Sequence, residues 1–82
     1  MRLTIAQLNP VVGDIDGNID KLEGILPSCL SDHSDLLVLP ELYITGYPPR
    51  DLLERSWFID KAWNGVLRIV DLSSKFPGIG IL

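Results

Sequence analysis

The sequence predicts an α/β fold, an incomplete β-α-β-α-β segment with parallel strands. Three observations carry that prediction. Short runs with little polar character occur at residues 3–8 and 79–82 and a continuous apolar run at 36–39, as in strands buried on both faces. Two longer stretches with helical spacing separate them. The connections are long enough for crossovers, which makes the strands parallel and the crossovers right-handed.

The first strand rests on Leu3, Ile5, Ala6 and Leu8, which leave it little polar character. Asn9-Pro10 stops it, and residues 13–18 form a turn-rich loop. Asp16 is the expected N-cap of the first helix. Ile19, Leu22, Ile25 or Leu26, and Cys29 or Leu30 follow at helical spacing. Pro27 falls inside that pattern. It removes a backbone donor and clashes with the preceding turn, at a cost of ~3 kcal/mol or more, so a kink or an early end near Leu26 is expected.

Leu36-Leu37-Val38-Leu39, closed by Pro40, is the second strand. Residues 41–49, with Gly46, Pro48 and Pro49, form a loop. A helical pattern resumes with Leu52, Leu53, Trp57 and Phe58, breaks near Ser56, and runs on through Trp63, Val66, Leu67 and Val70 to about Lys75. Gly65 weakens it by roughly 1 kcal/mol relative to alanine. Phe76-Pro77-Gly78 is a turn, and Ile79-Gly80-Ile81-Leu82 opens a third strand. A strand that stops in mid-run leads to the expectation of a truncated domain.

Composition points the same way. The chain has 82 residues, 46% of them hydrophobic, and its mean hydropathy is positive. One cysteine and one histidine allow neither an internal disulfide framework nor a zinc spacing. So much apolar side chain in so short a chain implies surface that belongs against further structure. The net charge is −4 and the seven basic residues are scattered, which disfavours nucleic-acid binding. The N-terminal apolar run is too short and interrupted for a signal peptide or membrane span. A free cysteine without a targeting signal suggests the cytoplasm.

Most candidate motifs fail on inspection. Asp14-x-Asp16-x-Asn18 opens like a calcium loop, but Ile19 holds the glycine position and Ile25 the closing glutamate position. No Gly-Lys-Ser/Thr occurs, so there is no Walker loop. Gly78-Ile79-Gly80 is too short for a dinucleotide fingerprint and reads as a strand glycine where another backbone comes close. Cys29, on an apolar helix face, reads as a buried inert thiol. His33 reads as a surface residue in the helix-to-strand connection. Glu41 differs from these. It follows directly on a buried strand, at the carboxyl end, where open α/β folds build their sites. A carboxylate there is expected to be partly desolvated and usable as a general base, the alternative being a capping or salt-bridging surface glutamate.

The residues around Glu41 carry a resemblance. Leu39-Pro40-Glu41-Leu42-x-x-Thr45-Gly46-Tyr47-Pro48-Pro49-x-Asp51-Leu52-Leu53 resembles the segment that bears the first catalytic residue of the nitrilase (carbon–nitrogen hydrolase) superfamily. The Tyr-Pro-Pro-x-Asp-Leu-Leu extension is similar to the glutaminase domains of glutamine-dependent NAD synthetases. So is the opening, Ala6-Gln7-Leu8-Asn9-Pro10-x-Val12-Gly13-Asp14-Ile15-x-Gly17-Asn18. The resemblance implies a four-layer α-β-β-α sandwich and a Glu-Lys-Cys triad that hydrolyses glutamine. Glu41 takes the place of the glutamate, as general base, and Tyr47 is a candidate for lining the glutamine pocket.

The same resemblance implies that lysine and cysteine come later in the chain, each at the end of a further strand. None of Lys21, Cys29, Lys61 or Lys75 fits those places. Residues 1–82 are therefore expected to be the N-terminal portion of a glutaminase domain, truncated before the catalytic lysine and cysteine and inactive alone. The parent would pass ammonia to an ATP- and magnesium-dependent synthetase domain that amidates deamido-NAD, and would be a homo-oligomer. No cofactor is expected in this segment. Pro27 departs from the family, whose first helix is normally uninterrupted. Two other readings stand beside this one: part of a stand-alone nitrilase-family amidase or carbamoylase, and a non-catalytic α/β module that associates through its sheet edge.

Overall fold

A computed structural model describes residues 1–46 and 55–82. The chain runs β1 (Leu3–Ile5), α1 (Ile15–Ser31), β2 (Leu36–Val38), α2 (Ser56–Ser74) and β3 (Gly80–Ile81). The strands form one parallel sheet in the order β1-β2-β3. Leu3, Thr4 and Ile5 pair with Leu36, Leu37 and Val38, and Leu36 and Leu37 pair with Gly80 and Ile81. Successive crossovers of one hand that step in one direction put both helices on the same face, and α1 and α2 do pack against each other.

The core lies between that face and the two helices. Ile15, Ile19, Leu22 and Leu26 of α1, Leu37 of β2 and Phe58 of α2 are each 1% exposed or less. The opposite sheet face is open, with Leu3 at 55% and Ile5 at 71% exposure. The expectation that the first strand is buried on both faces is thus corrected. Helices on one side leave alternate strand residues uncovered.

Helix α1 begins earlier than the sequence suggested. Asp14, not Asp16, is the N-cap, and its carboxylate accepts the Gly17 N–H at 3.1 Å. Asp16 lies inside the first turn, where a negative charge suits the helix dipole. The expected break at Pro27 does not occur, and α1 continues to Ser31. Pro27 and Glu23, whose carbonyl loses its partner, both lie on the exposed side. Water can serve that carbonyl, while Leu26 and Cys29 on the other side stay buried and hold the helix together.

The end of α1 is a Schellman motif. His33 adopts φ 57°, its N–H donates to the Leu30 carbonyl at 3.1 Å, and the Ser34 N–H reaches the Cys29 carbonyl at 3.0 Å. The reversal sets Asp35 against Arg2, with reciprocal bonds of 2.7 and 2.8 Å that start the β1–β2 pairing. Helix α2 begins at Ser56, where the sequence placed a break, and Leu52 and Leu53 lie outside the described residues. The expectation that another backbone comes close at Gly78 or Gly80 is corrected: an added Cβ at Gly78 would meet nothing, and at Gly80 it would stand 3.1 Å from a side-chain methyl, Leu36 Cδ1, because the neighbouring strand sits at ordinary sheet spacing. Among the described residues no helix is long and apolar enough to cross a membrane.

Candidate active site

Glu41 stands at the carboxyl edge of the sheet. β2 ends at Val38, Leu39 still donates to the Leu82 carbonyl at 2.9 Å, and Pro40 closes the ladder because it has no N–H to give. Residues 41–45 then form a turn, closed by the Gly46 N–H on the Leu42 carbonyl at 2.9 Å. Leu42, directly after Glu41, has φ 56°. A left-handed leucine is costly and persists only where its surroundings hold it.

Those surroundings belong to the loop after β1 and the first turn of α1. The Gly13 N–H donates to the Thr45 carbonyl at 2.9 Å. Gly46, at φ 78°, packs onto the backbone of Val12, where an added Cβ would come within 2.6 Å of the Val12 Cα. Only glycine meets both demands, the positive φ and the close approach. Tyr43 is buried, and its hydroxyl donates to the Asn18 carbonyl at 2.6 Å. Burial pushes the Tyr43 phenol above its ordinary value, which keeps the proton that this bond requires.

Between the turn, α2 and the end of β3 lies an open groove of about 620 Å³. Its walls are apolar, with Leu39, Ile59, Trp63, Val70 and Ile81 prominent, and Glu41 is the one carboxylate in its lining among the described residues. The sequence suggested a partly desolvated Glu41, and this is corrected: the side chain is exposed, because nothing among the described residues covers the mouth of the groove. Tyr47, the other site residue named from the sequence, lies outside the described residues.

The remaining candidates are kept away from Glu41. Cys29 is buried and free near the carboxyl end of α1, beside the amino ends of the strands and so at the opposite end of the sheet. Lys21 donates to the Asn9 carbonyl at 2.9 Å, Lys61 pairs with Asp16 at 3.6 Å, and Lys75 pairs with Asp71 at 3.9 Å. Asp14 and Asp16 serve α1, and no group of three metal-ligating side chains forms among the described residues. Sequence reasoning missed Asn18. The signal was present: a polar residue falls in the stripe Ile15, Asn18, Ile19, Leu22, all of it buried.

The fold is thus a parallel sheet with a glutamate just beyond the end of its second strand. Residues 2–72 match the carbon-nitrogen hydrolase family model, and the chain belongs to that family. Its curated relatives include the glutamine-dependent NAD(+) synthetase of Thermotoga maritima, 49% identical over 59 residues, which cover 72% of this chain and 10% of that protein. The enzyme of the same name from Rhodobacter capsulatus is 32% identical over 80 residues, 98% of this chain and 14% of that protein. The crystal structure of a glutamine-dependent NAD(+) synthetase from Cytophaga hutchinsonii superimposes with a TM-score of 0.76 at 28% identity, covering 84% of this chain and 12% of that one. The chain thus spans only 10–14% of the length of these relatives. The resemblance read from the residues around Glu41 is borne out, both for the family and for the kind of enzyme within it.

Proposed function

We propose that this chain is the N-terminal part of a glutaminase domain and that Glu41 is its general base. In the full-length protein the domain would release ammonia from glutamine for the ATP-dependent amidation of deamido-NAD to NAD. The observation that carries this reading is the place of Glu41. Among the described residues it is the one carboxylate in the lining of the groove, on a turn held rigidly at the carboxyl end of β2. Family membership and the names of the relatives support the same reading.

The chemistry rests on what a carboxylate can do there. Glu41 takes the proton of a cysteine thiol, and the thiolate attacks the side-chain carbonyl carbon of glutamine. A lysine holds the developing oxyanion. Glu41 returns the proton to the departing ammonia, then takes one from the water that hydrolyses the thioester. The cysteine and the lysine are supplied by the rest of the domain, since Cys29 and the three lysines are all engaged away from Glu41. Tyr47 lines the glutamine pocket in this proposal. ATP and magnesium belong to a synthetase domain elsewhere in the parent, the sequence here having no Gly-Lys-Ser/Thr for phosphate. A homo-oligomeric, cytoplasmic parent is part of the same proposal.

Glutamate release from glutamine tests the reading. In the full-length protein Glu41→Gln keeps the shape of the side chain and removes the base, so the rate should fall by about 10²–10⁴. The 82-residue chain alone should release none. A Glu41→Gln protein that hydrolyses glutamine at the wild-type rate would refute the assignment.

A further inference from the structure

We propose that Asn18 is the positioning residue for Glu41, a buried clamp that fixes the catalytic turn to the loop after β1 and to α1. The proposal rests on the reading of Glu41 as the general base. Asn18 is fully buried, and every polar atom of its side chain is used. Oδ1 accepts the Val11 N–H at 2.7 Å. Nδ2 donates to the Val11 carbonyl at 2.9 Å and to the Ile44 carbonyl at 3.0 Å. The orientation of the amide is unambiguous, because the opposite one would set Oδ1 against two carbonyls and Nδ2 against an N–H.

The main chain of the same residue adds a fourth tie, its carbonyl accepting the Tyr43 hydroxyl at 2.6 Å. Residues 43, 44 and 45 are therefore each bound to the β1–α1 region, two of them through Asn18 and the third through Gly13. On its other side the turn is bound to the sheet by Leu39. Between these anchors lie Pro40, Glu41 and the left-handed Leu42. Glu41 makes no side-chain hydrogen bond among the described residues, so its place is set by the backbone beneath it, and that backbone is set by the clamp.

The residue type is specific. Aspartate has no N–H to give the Val11 and Ile44 carbonyls. Leucine has a similar size and no polar atoms, and glutamine is one methylene too long for a site with no free space. A displacement of about 1 Å in a reacting group is enough to cost on the order of 10²-fold in rate.

The test compares Asn18→Leu, Asn18→Asp, Glu41→Gln and the Asn18→Leu/Glu41→Gln double variant in the full-length protein. Glutamine hydrolysis and ammonia-supported synthesis are measured side by side. The expected result for both Asn18 variants is a fall in kcat for glutamine of about 10–100-fold with a much smaller change in KM. Ammonia-supported synthesis is retained, and Asn18→Leu adds no further loss once Glu41 is already Gln. Loss by the same factor with or without the Glu41 carboxylate would show a purely structural role and overturn the proposal. So would wild-type kcat in Asn18→Leu. If Glu41→Gln leaves glutamine hydrolysis intact, the underlying reading fails, and the proposal falls with it. Amide exchange in the wild-type protein serves where the variants do not fold. Val11, Gly13 and Gly46 should exchange slowly and at a common rate, and exchange as fast as exposed loop amides would overturn the clamp.

Discussion

Gly65 offers a test in which two known effects oppose each other. The residue lies where α2 crosses α1 and the turn that carries Glu41. A Cβ added there would stand 2.9 Å from Ile15 Cγ2, 3.0 Å from Ile19 Cδ1 and 3.2 Å from Ile44 Cγ2. Alanine in place of glycine inside a helix gains roughly 1 kcal/mol of intrinsic propensity. Overpacking a closed core costs about 1–3 kcal/mol. The decision turns on which neighbours can yield. Ile19 Cδ1 is the end of a flexible side chain and can swing away. The two γ2 methyls cannot move without turning a stiff β-branched χ1 or shifting backbone. Sterics should therefore win, with Gly65→Ala destabilising by about 1 kcal/mol net and Gly65→Val by about 3 kcal/mol, since valine adds bulk and gains less helix propensity over glycine than alanine does. Urea denaturation of the carbon-nitrogen hydrolase domain, followed by helical circular dichroism, measures this as a lowered midpoint at unchanged slope. A higher midpoint for Gly65→Ala would show that α1 and α2 do not pack at this distance.

Two further outcomes rest on exposure and burial. The isolated chain leaves an apolar sheet face at Leu3 and Ile5, an apolar helix face at Trp63, Leu67 and Val70, and an exposed Trp57 at the start of α2, and among the described residues its sheet has open edges at β1 and β3. It should associate as concentration rises. Sedimentation should show this together with a blue shift of tryptophan emission, because Trp57 and Trp63 are 59% and 65% exposed in the single chain. A monomer with unshifted emission and a sharp unfolding transition would contradict the prediction. Tyr43 predicts an alkaline effect. Its folded value is raised, so the stability it contributes is fully present below the unfolded value of about 10 and is lost as pH climbs from there through the raised folded value. Tyr43→Phe should be less stable at neutral pH and lose less between pH 10 and higher values (about 10 being the unfolded phenol). Identical alkaline slopes for the two proteins would count against the buried Tyr43–Asn18 bond.

Much of the fold was legible because periodicity reports burial directly. β2, β3 and the stripe Ile19, Leu22, Leu26, Cys29 appear where the pattern put them, whereas β1 covers only Leu3–Ile5 of the run predicted over residues 3–8. Pro27 misled because local cost was weighed without the packing of Leu26 and Cys29 on either side of it. Asp14 rather than Asp16 caps α1 because both are competent side chains and only the backbone decides. Gly65 read as a weak point in a helix, when its function is close contact with Ile15 and Ile19, a property that depends on a partner distant in sequence.

For the candidate site, the place of Glu41 just beyond β2 was legible, and the role expected of it came from the resemblance carried by the residues around it. The left-handed turn beneath it was not, since nothing local marks a leucine for positive φ. Asn18 could have been found as the one polar residue in an otherwise apolar stripe, but its partners Val11 and Ile44 are joined only by the tertiary fold.

The central claim is that Glu41 moves protons in the release of ammonia from glutamine and takes no part in the ATP-dependent amidation that consumes the ammonia. Comparing nitrogen sources tests it most directly. NAD synthesis by the full-length Glu41→Gln protein is measured with glutamine and with saturating ammonium, each relative to wild type. The account predicts that the glutamine-supported rate falls by about 10²–10⁴ while the ammonium-supported rate stays near wild type. Equal rates with both nitrogen sources, whether both retained or both lost, would contradict it.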